Sequence, residues 1–206
     1  MKISYAVTVF NEIKEIKNLF PFLSVCKREE DEIVILMDDK GPNEIWDYLL
    51  SINPKLVIIN RLKFNNNFSE WKNKLKSLCS GDYLFNIDAD EVPSTILIKY
   101  LPEILESNPD IKAFALPRVN TVHGLTQQHI NEWGWEVNEK KWINYPDLQI
   151  RIFKNHPEIY WEKRVHERLN IWREAVPLPI DTDDWVLYHH KDIKRQEKQN
   201  LLYSTL

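Results

Sequence analysis

The chain has 206 residues, long enough to bury a real core, and carries 27 Lys plus Arg against 31 Asp plus Glu. That mildly acidic balance excludes the broadly basic surface of a general nucleic-acid binder, so no nucleic-acid partner is expected. No apolar run approaches the roughly 20 residues needed to span a bilayer. The opening MKISYAVTVFNE does not read as a cleaved leader, because Asn11 and Glu12 interrupt it early. A cytoplasmic chain is expected, with peripheral membrane contact through its aromatic second half left open.

Four glycines against eight tryptophans describe a stiff chain without an evident linker, and Cys26 and Cys79 are expected reduced and structural. In chain order, ISYAVTVF (3–10) reads as a strand, and Ile13, Ile16, Leu19 and Phe20 follow at helical spacing. EIVILM (32–37) has the continuous apolar character of a buried parallel strand. A second amphipathic stretch carries Ile45, Trp46, Leu49 and Leu50, and KLVIIN (55–60) is a third strand. Phe68, Trp71, Leu75 and Leu78 predict a helix capped by Ser69. DYLFNI (82–87) is a fourth strand, and a helix capped by Ser94 follows to about Leu105, bent or broken near Pro102. This alternation predicts right-handed crossovers and a doubly wound α/β sheet, in which ligands bind beyond the carboxyl ends of the strands.

The second half is less regular. Strands are predicted over 111–120, 148–153, 163–169 and 185–190, without regular helices between them, and a charged helix closes the chain. The stretch 121–146, which holds Trp133, Trp135 and Trp142, reads as irregular and as a mobile lid or loop. One domain over 1–206 is predicted, in two halves, 1–110 and 111–206.

Three polar clusters fall just past predicted strand ends: Asn11-Glu12, Asp38-Asp39, and Asp88, Asp90 and Glu91 in YLFNIDADEV. An Asp-x-Asp at a strand end lets two carboxylates face one hard divalent cation, which removes their mutual repulsion. The same spacing also occurs as an exposed acidic turn before a helix.

AVTVFNE, VILMDD, and the Lys-Asn pair of EWKNKLKSLCSGDYLFNIDADE resemble the family 2 glycosyltransferases of the GT-A fold, as do LPRVN, DLQIRIF, VHERL and LYHHK further on. The resemblance runs from about Ile3 to the C-terminal tail. It implies a Rossmann-like nucleotide-binding half with a central mixed sheet, an irregular acceptor-binding half, and inverting transfer of a hexose from a nucleotide-diphosphate sugar, a UDP-sugar first, to a glycan or other hydroxyl. It further implies Mn²⁺ or Mg²⁺ held by Asp88, Asp90 and His189, with His190 the alternative to His189. The nucleotide would lie across Phe10, Asn11, Glu12, Asp38 and Asp39, beside Lys72, Asn73 and the Asp88-Ala89 pair, with Lys191 or Arg195 at its pyrophosphate. Two carboxylates compete as the base that inversion requires: Glu167, matching VHE, and Asp147. The stretch 121–146 would then be the lid or acceptor loop, with one or two of Trp133, Trp135 and Trp142 stacking on an acceptor sugar. The segment DDKGPNE departs from the small, hydroxyl-rich stretch usual after the second strand.

Two other readings use the same residues. The fold could serve as a non-catalytic glycan- or protein-binding module. YLFNIDADEV also fits the opening of haloacid-dehalogenase-type phosphatases, with Asp88 as nucleophile and the distant DTDD (181–184) as a metal pair. That motif normally sits on a first strand, and here more than eighty residues precede it.

Overall fold

The computed structural model describes residues 1–203, apart from the side chains of residue 199 and residues 201–203. Its frame is a sheet in the order β3-β2-β1-β4-β7-β6-β11-β5. Its parallel part is β1 (Ile3–Val9), β2 (Glu32–Asp38), β3 (Ile58–Leu62) and β4 (Tyr83–Asp88). Between these run α1 (Ile13–Cys26), α2 (Asn43–Ser51) and α3 (Phe68–Ser77). The sheet continues through β7 (Ile143–Lys154), β6 (Ala113–His123) and β11 (Leu187–Asp192), with β5 (Glu91–Pro93) at the edge. β7 is antiparallel to both β4 and β6, so the sheet is mixed and crosses both halves of the chain. The remaining helices are α4 (Thr95–Ser107), α5 (Gln127–Trp133) and α6 (Ile193–Tyr203). Short strands β8 (Trp161–Glu162) and β9 (Arg168–Leu169) pair with each other, and β10 (Val176–Pro177) adds to β6.

The apolar runs of β1, β2 and β4 are buried on both faces, as parallel strands covered by helices require, whereas β3 at the sheet edge stays partly exposed. One core layer holds Tyr5, Val7, Ile33, Ile35 and Phe85 with Leu19, Leu23 and Leu49. The opposite layer holds Ala6, Val34, Leu36 and Leu84 with Leu75, Phe153 and Trp161. The amino ends of β1 and β2 are tied by charge. Glu32 accepts from Lys2 Nζ at 2.6 Å, Ser4 Oγ at 2.6 Å, Ser80 N at 2.6 Å and Ser80 Oγ at 2.7 Å. At the carboxyl ends Gly41 is required by space: a Cβ there would stand 2.5 Å from the Phe10 carbonyl oxygen.

Several local expectations are corrected. Asn67, not Ser69, caps α3: its side chain accepts from Glu70 N at 3.3 Å, while Ser69 lies inside the helix. α4 runs unbroken through Pro102, and α1 through Pro21. The segment 163–169 is a strand only at its last two residues, and Lys163 and His166 adopt positive φ. The stretch 121–146 is not one irregular loop. β6 extends to His123, Thr126 caps α5 by accepting from His129 N at 3.3 Å, and β7 begins at Ile143. Both cysteines are free thiols, half-buried rather than fully so.

Candidate active site

Register brings the site together. β1 and β4 pair Thr8 with Asp88, so the turn after β4 opens beside the turn after β1. β6 places Arg118 opposite Asp147 of β7, and Asn120 beside His189 of β11. β5 sets Glu91 against His189. Polar side chains at alternate positions of β6 thus face one side of a strand whose neighbours are apolar.

At the centre is an ion-pair network. Arg151, fully buried, donates from Nη2 to Asp88 Oδ2 and to Glu91 Oε1, both at 2.6 Å. Arg118 Nη1 reaches the same Glu91 oxygen at 3.1 Å, and its Nε and Nη2 hold Asp147 Oδ2 at 2.9 and 2.6 Å. Burial pushes the Asp88 carboxyl up, but the charges of Arg151, Lys72 and Arg118 hold it well below the usual carboxylate range. Burial likewise opposes the Arg151 charge, and Asp88 and Glu91 overcome it. Two guanidiniums are therefore part of what balances the acidic turn. Neither arginine stands out in the sequence: Arg118 lies within LPRVN and Arg151 within DLQIRIF.

The second cluster surrounds Asp90. Its Oδ2 stands 3.2 Å from His189 Nε2 and accepts from Arg195 Nη2 at 3.0 Å. Burial raises the Asp90 carboxyl, and the hydrogen bond and charge of His189, with Arg195, bring it below its ordinary value. The His189 tautomer follows from a chain of constraints. Asn120 lies 2.8 Å from Asp147 Oδ2, an acceptor only, so Asn120 must present Nδ2 there. Its Oδ1 then faces His189 Nδ1 at 2.7 Å, so Nδ1 carries a proton whether or not Nε2 does. Nε2 faces Asp90: it donates to that carboxylate when the ring is doubly protonated, and is the nitrogen free for a cation when it is not. His190 points elsewhere, pairing with Thr121 and stacking on Tyr188.

Among the described residues no three His, Cys, Asp or Glu side chains converge closely enough to hold a metal ion by themselves. Of the expected triad, Asp90 and His189 come together while Asp88 turns to Arg151. The pair nevertheless suits an open site. Ligand atoms on adjoining corners of an octahedron with bonds of about 2.1 Å lie about 3 Å apart. A ring oriented through its other nitrogen is the usual outer arrangement of a histidine ligand.

The expected nucleotide residues line the neighbouring strand ends. Phe10, Asn11 and Asp39 are exposed, whereas Ala89 is buried. Glu12 folds back so that Oε2 accepts from Phe10 N and Asn11 N at 2.8 and 3.0 Å. Asp38 ties two loops together, accepting from Lys40 N at 3.2 Å and Phe64 N at 3.3 Å. Asn73 is committed to the backbone of Trp161, donating to its carbonyl and accepting from its N–H, both at 2.8 Å. Lys72 is buried and faces Glu167 at 2.7 Å, 4.5 Å from the centre of the Trp161 ring. Lys191 lies half-buried beside His189, and burial lowers its pKa.

Two cavities flank Arg118. One of about 350 Å³ is lined by Lys72, Asp88, Arg151, Trp161 and Glu167. The other, about 210 Å³, is lined by Asn120, Trp135, His189 and Lys191. The two base candidates differ in their surroundings. Asp147 is held by Arg118, Asn120 and Gln149, which bring its carboxyl below its ordinary value against the upward push of burial. Glu167 pairs with Lys72 and opens on the larger cavity.

The family model for glycosyl transferase family 2 matches residues 4–169. Among solved structures, Staphylococcus aureus TarS residues 1–349 superposes with a TM-score of 0.59 at 15% identity, over 92% of this chain and 60% of that one. The same protein in complex with UDP-GlcNAc gives 0.59 at 16%, over 93% and 59%. A Pyrobaculum calidifontis mannosyltransferase in complex with GDP-Man and Mn²⁺ gives 0.58 at 14%, over 91% and 56%. The chain thus spans about 60% of the first of these. The superpositions place it in the GT-A fold. With Asp88 on the fourth strand of that fold, the phosphatase reading is set aside.

Proposed function

The chain belongs to glycosyl transferase family 2, and from that premise we propose that it transfers a hexose, with inversion and with a divalent cation, from a nucleotide-diphosphate sugar to a hydroxyl of a glycan or other acceptor. The observation that carries the reading is the convergence on one sheet edge of three polar strand ends with the oriented Asp90–His189 pair. UDP-GlcNAc in TarS, and GDP-Man with Mn²⁺ in the archaeal mannosyltransferase, are the donor chemistry those neighbours carry. We assign a UDP-sugar first, with GDP as the next nucleotide, and take the 206 residues as one domain. When bound, Mn²⁺ or Mg²⁺ supplies positive charge against the pyrophosphate leaving group.

The residues of the chain do the rest. Asp90 and His189 hold the cation, and Asp88, fixed by Arg151, adds negative charge beside them. Phe10, Asn11, Asp38 and Asp39 receive base and ribose. Glu167 accepts the proton of the acceptor hydroxyl as its oxygen attacks the anomeric carbon and the bond from that carbon to the diphosphate breaks. Lys72 holds Glu167 toward the larger cavity. Asp147 positions Arg118 and Asn120, and through Asn120 the His189 ring. Trp135 offers its indole face to an acceptor sugar.

Replacing the base tests the assignment. Glu167→Gln should lower transfer by about 10²–10⁴-fold while nucleotide binding persists. Asp147→Asn should instead weaken metal-supported nucleotide binding, because it disturbs the Asn120–His189 contact. Activity retained in Glu167→Gln and lost in Asp147→Asn with intact nucleotide binding would move the base to Asp147.

A further inference from the structure

α6 is seated over this edge by charge. Asp192 Oδ1 accepts from Arg195 N at 2.9 Å at the start of the helix. The Arg195 side chain then spans three carboxylates, two at the start of α1 and one in the turn after β4. Nη1 donates to Glu15 Oε1 of α1 at 3.0 Å, and Nη2 lies 3.5 Å from Glu12 Oε1 and 3.0 Å from Asp90 Oδ2. That Asp90 oxygen is the one that faces His189 Nε2. The guanidinium therefore already occupies the oxygen through which Asp90 would join His189 in holding a cation. Two positive charges do not share one carboxylate oxygen without strong repulsion.

We infer that Arg195 is an internal counter-cation, and that docking of α6 and binding of a divalent cation at Asp90 and His189 compete. In the donor-free protein Arg195 pairs with Asp90, Glu12 and Glu15, offsetting part of their charge, and holds α6 down. A cation that takes Asp90 releases Arg195 from it and loosens the helix. This inference rests on the Asp90–His189 cation site proposed above.

Hydrogen–deuterium exchange of residues 193–203, together with Mn²⁺ affinity measured by electron paramagnetic resonance, tests it on the full chain without nucleotide. The variants are Arg195→Gln and Glu15→Gln. Removing an arginine charge near the site would tighten Mn²⁺ binding through the field alone, so Glu15→Gln is the deciding variant. Loss of a nearby negative charge weakens Mn²⁺ through the field, whereas loss of a partner that docks Arg195 tightens it. Competition predicts that Mn²⁺ speeds exchange in α6 of the unaltered protein, and that Glu15→Gln binds Mn²⁺ roughly 2–5-fold more tightly, the yield of one partly exposed ion pair. Weaker Mn²⁺ binding in Glu15→Gln, with α6 exchange indifferent to Mn²⁺, overturns the competition and leaves the cation site standing. No Mn²⁺ binding by any of the three proteins, even with UDP or GDP added, overturns the cation site and the inference with it.

Discussion

At the scale of single residues, the acidic turn after β4 is stable because a buried arginine, Arg151, and a partly buried one, Arg118, face it. Glu91 is fully buried and meets both Arg151 and Arg118. Removing one member of such a set leaves a charge uncompensated in a low-dielectric interior, which costs far more than the pair contributes on its own. Arg151→Ala is expected to lower stability by about 3–5 kcal/mol, read from the urea midpoint, and Glu91→Gln in the same chain should recover part of the loss. A change below about 1 kcal/mol would mean that Asp88 and Glu91 find other partners. Asp88 and Asp90 stand out in the sequence as carboxylates at a strand end, whereas His189 and Glu167 were singled out by the family resemblance of LYHHK and VHERL. Arg118 and Asn120 were hidden in LPRVN. Their meaning depends on a register with β7 and β11, across roughly 30 and 70 residues of chain, which periodicity alone does not supply.

At the scale of elements, the β1–β2 pair is fastened at one end and open at the other. The fastening is Glu32, whose carboxyl is pushed up by burial but brought down overall, from 4.5 to about 2, by Lys2, Ser4 and Ser80. A carboxylate with a depressed folded pKa contributes stability that is present above its unfolded value and lost as pH falls through the folded one. Glu32→Gln should therefore cost about 1–3 kcal/mol at neutral pH, and the difference from the unaltered protein should fade between about pH 4.5 and pH 2. A difference that stays constant across that range would show that Glu32 acts by packing rather than charge. The alternating strands and helices of the first hundred residues were legible because the apolar runs of β1, β2 and β4 are buried on both faces, and only β3 is a partly exposed edge. The second half was less so. α5 has no fully buried residue to give it a periodic signature, and residues 163–167 follow a backbone with positive φ at Lys163 and His166. Pro102 misled as well, because a proline in α4 does not by itself break a helix whose apolar face is buried.

At the scale of the whole molecule, one mixed sheet carries a parallel block of four strands into a half of mixed pairing, β7 antiparallel and β11 parallel to β6, that supplies His189, Asn120 and Arg118. The two halves meet at the β4–β7 seam, where Asp88 and Arg151 face each other. Among the described residues no helix is long and apolar enough to cross a membrane. The central claim is that the shared edge binds a nucleotide-diphosphate sugar through a divalent cation. The most direct measurement is thermal unfolding with UDP, GDP and their sugars, each with and without Mn²⁺, in the unaltered chain and in Asp90→Ala. A ligand held at about 100 times its Kd should raise the midpoint by roughly 5–10 °C, only with the metal, and not in Asp90→Ala. An unchanged midpoint with every nucleotide, or an equal rise in Asp90→Ala, would contradict it.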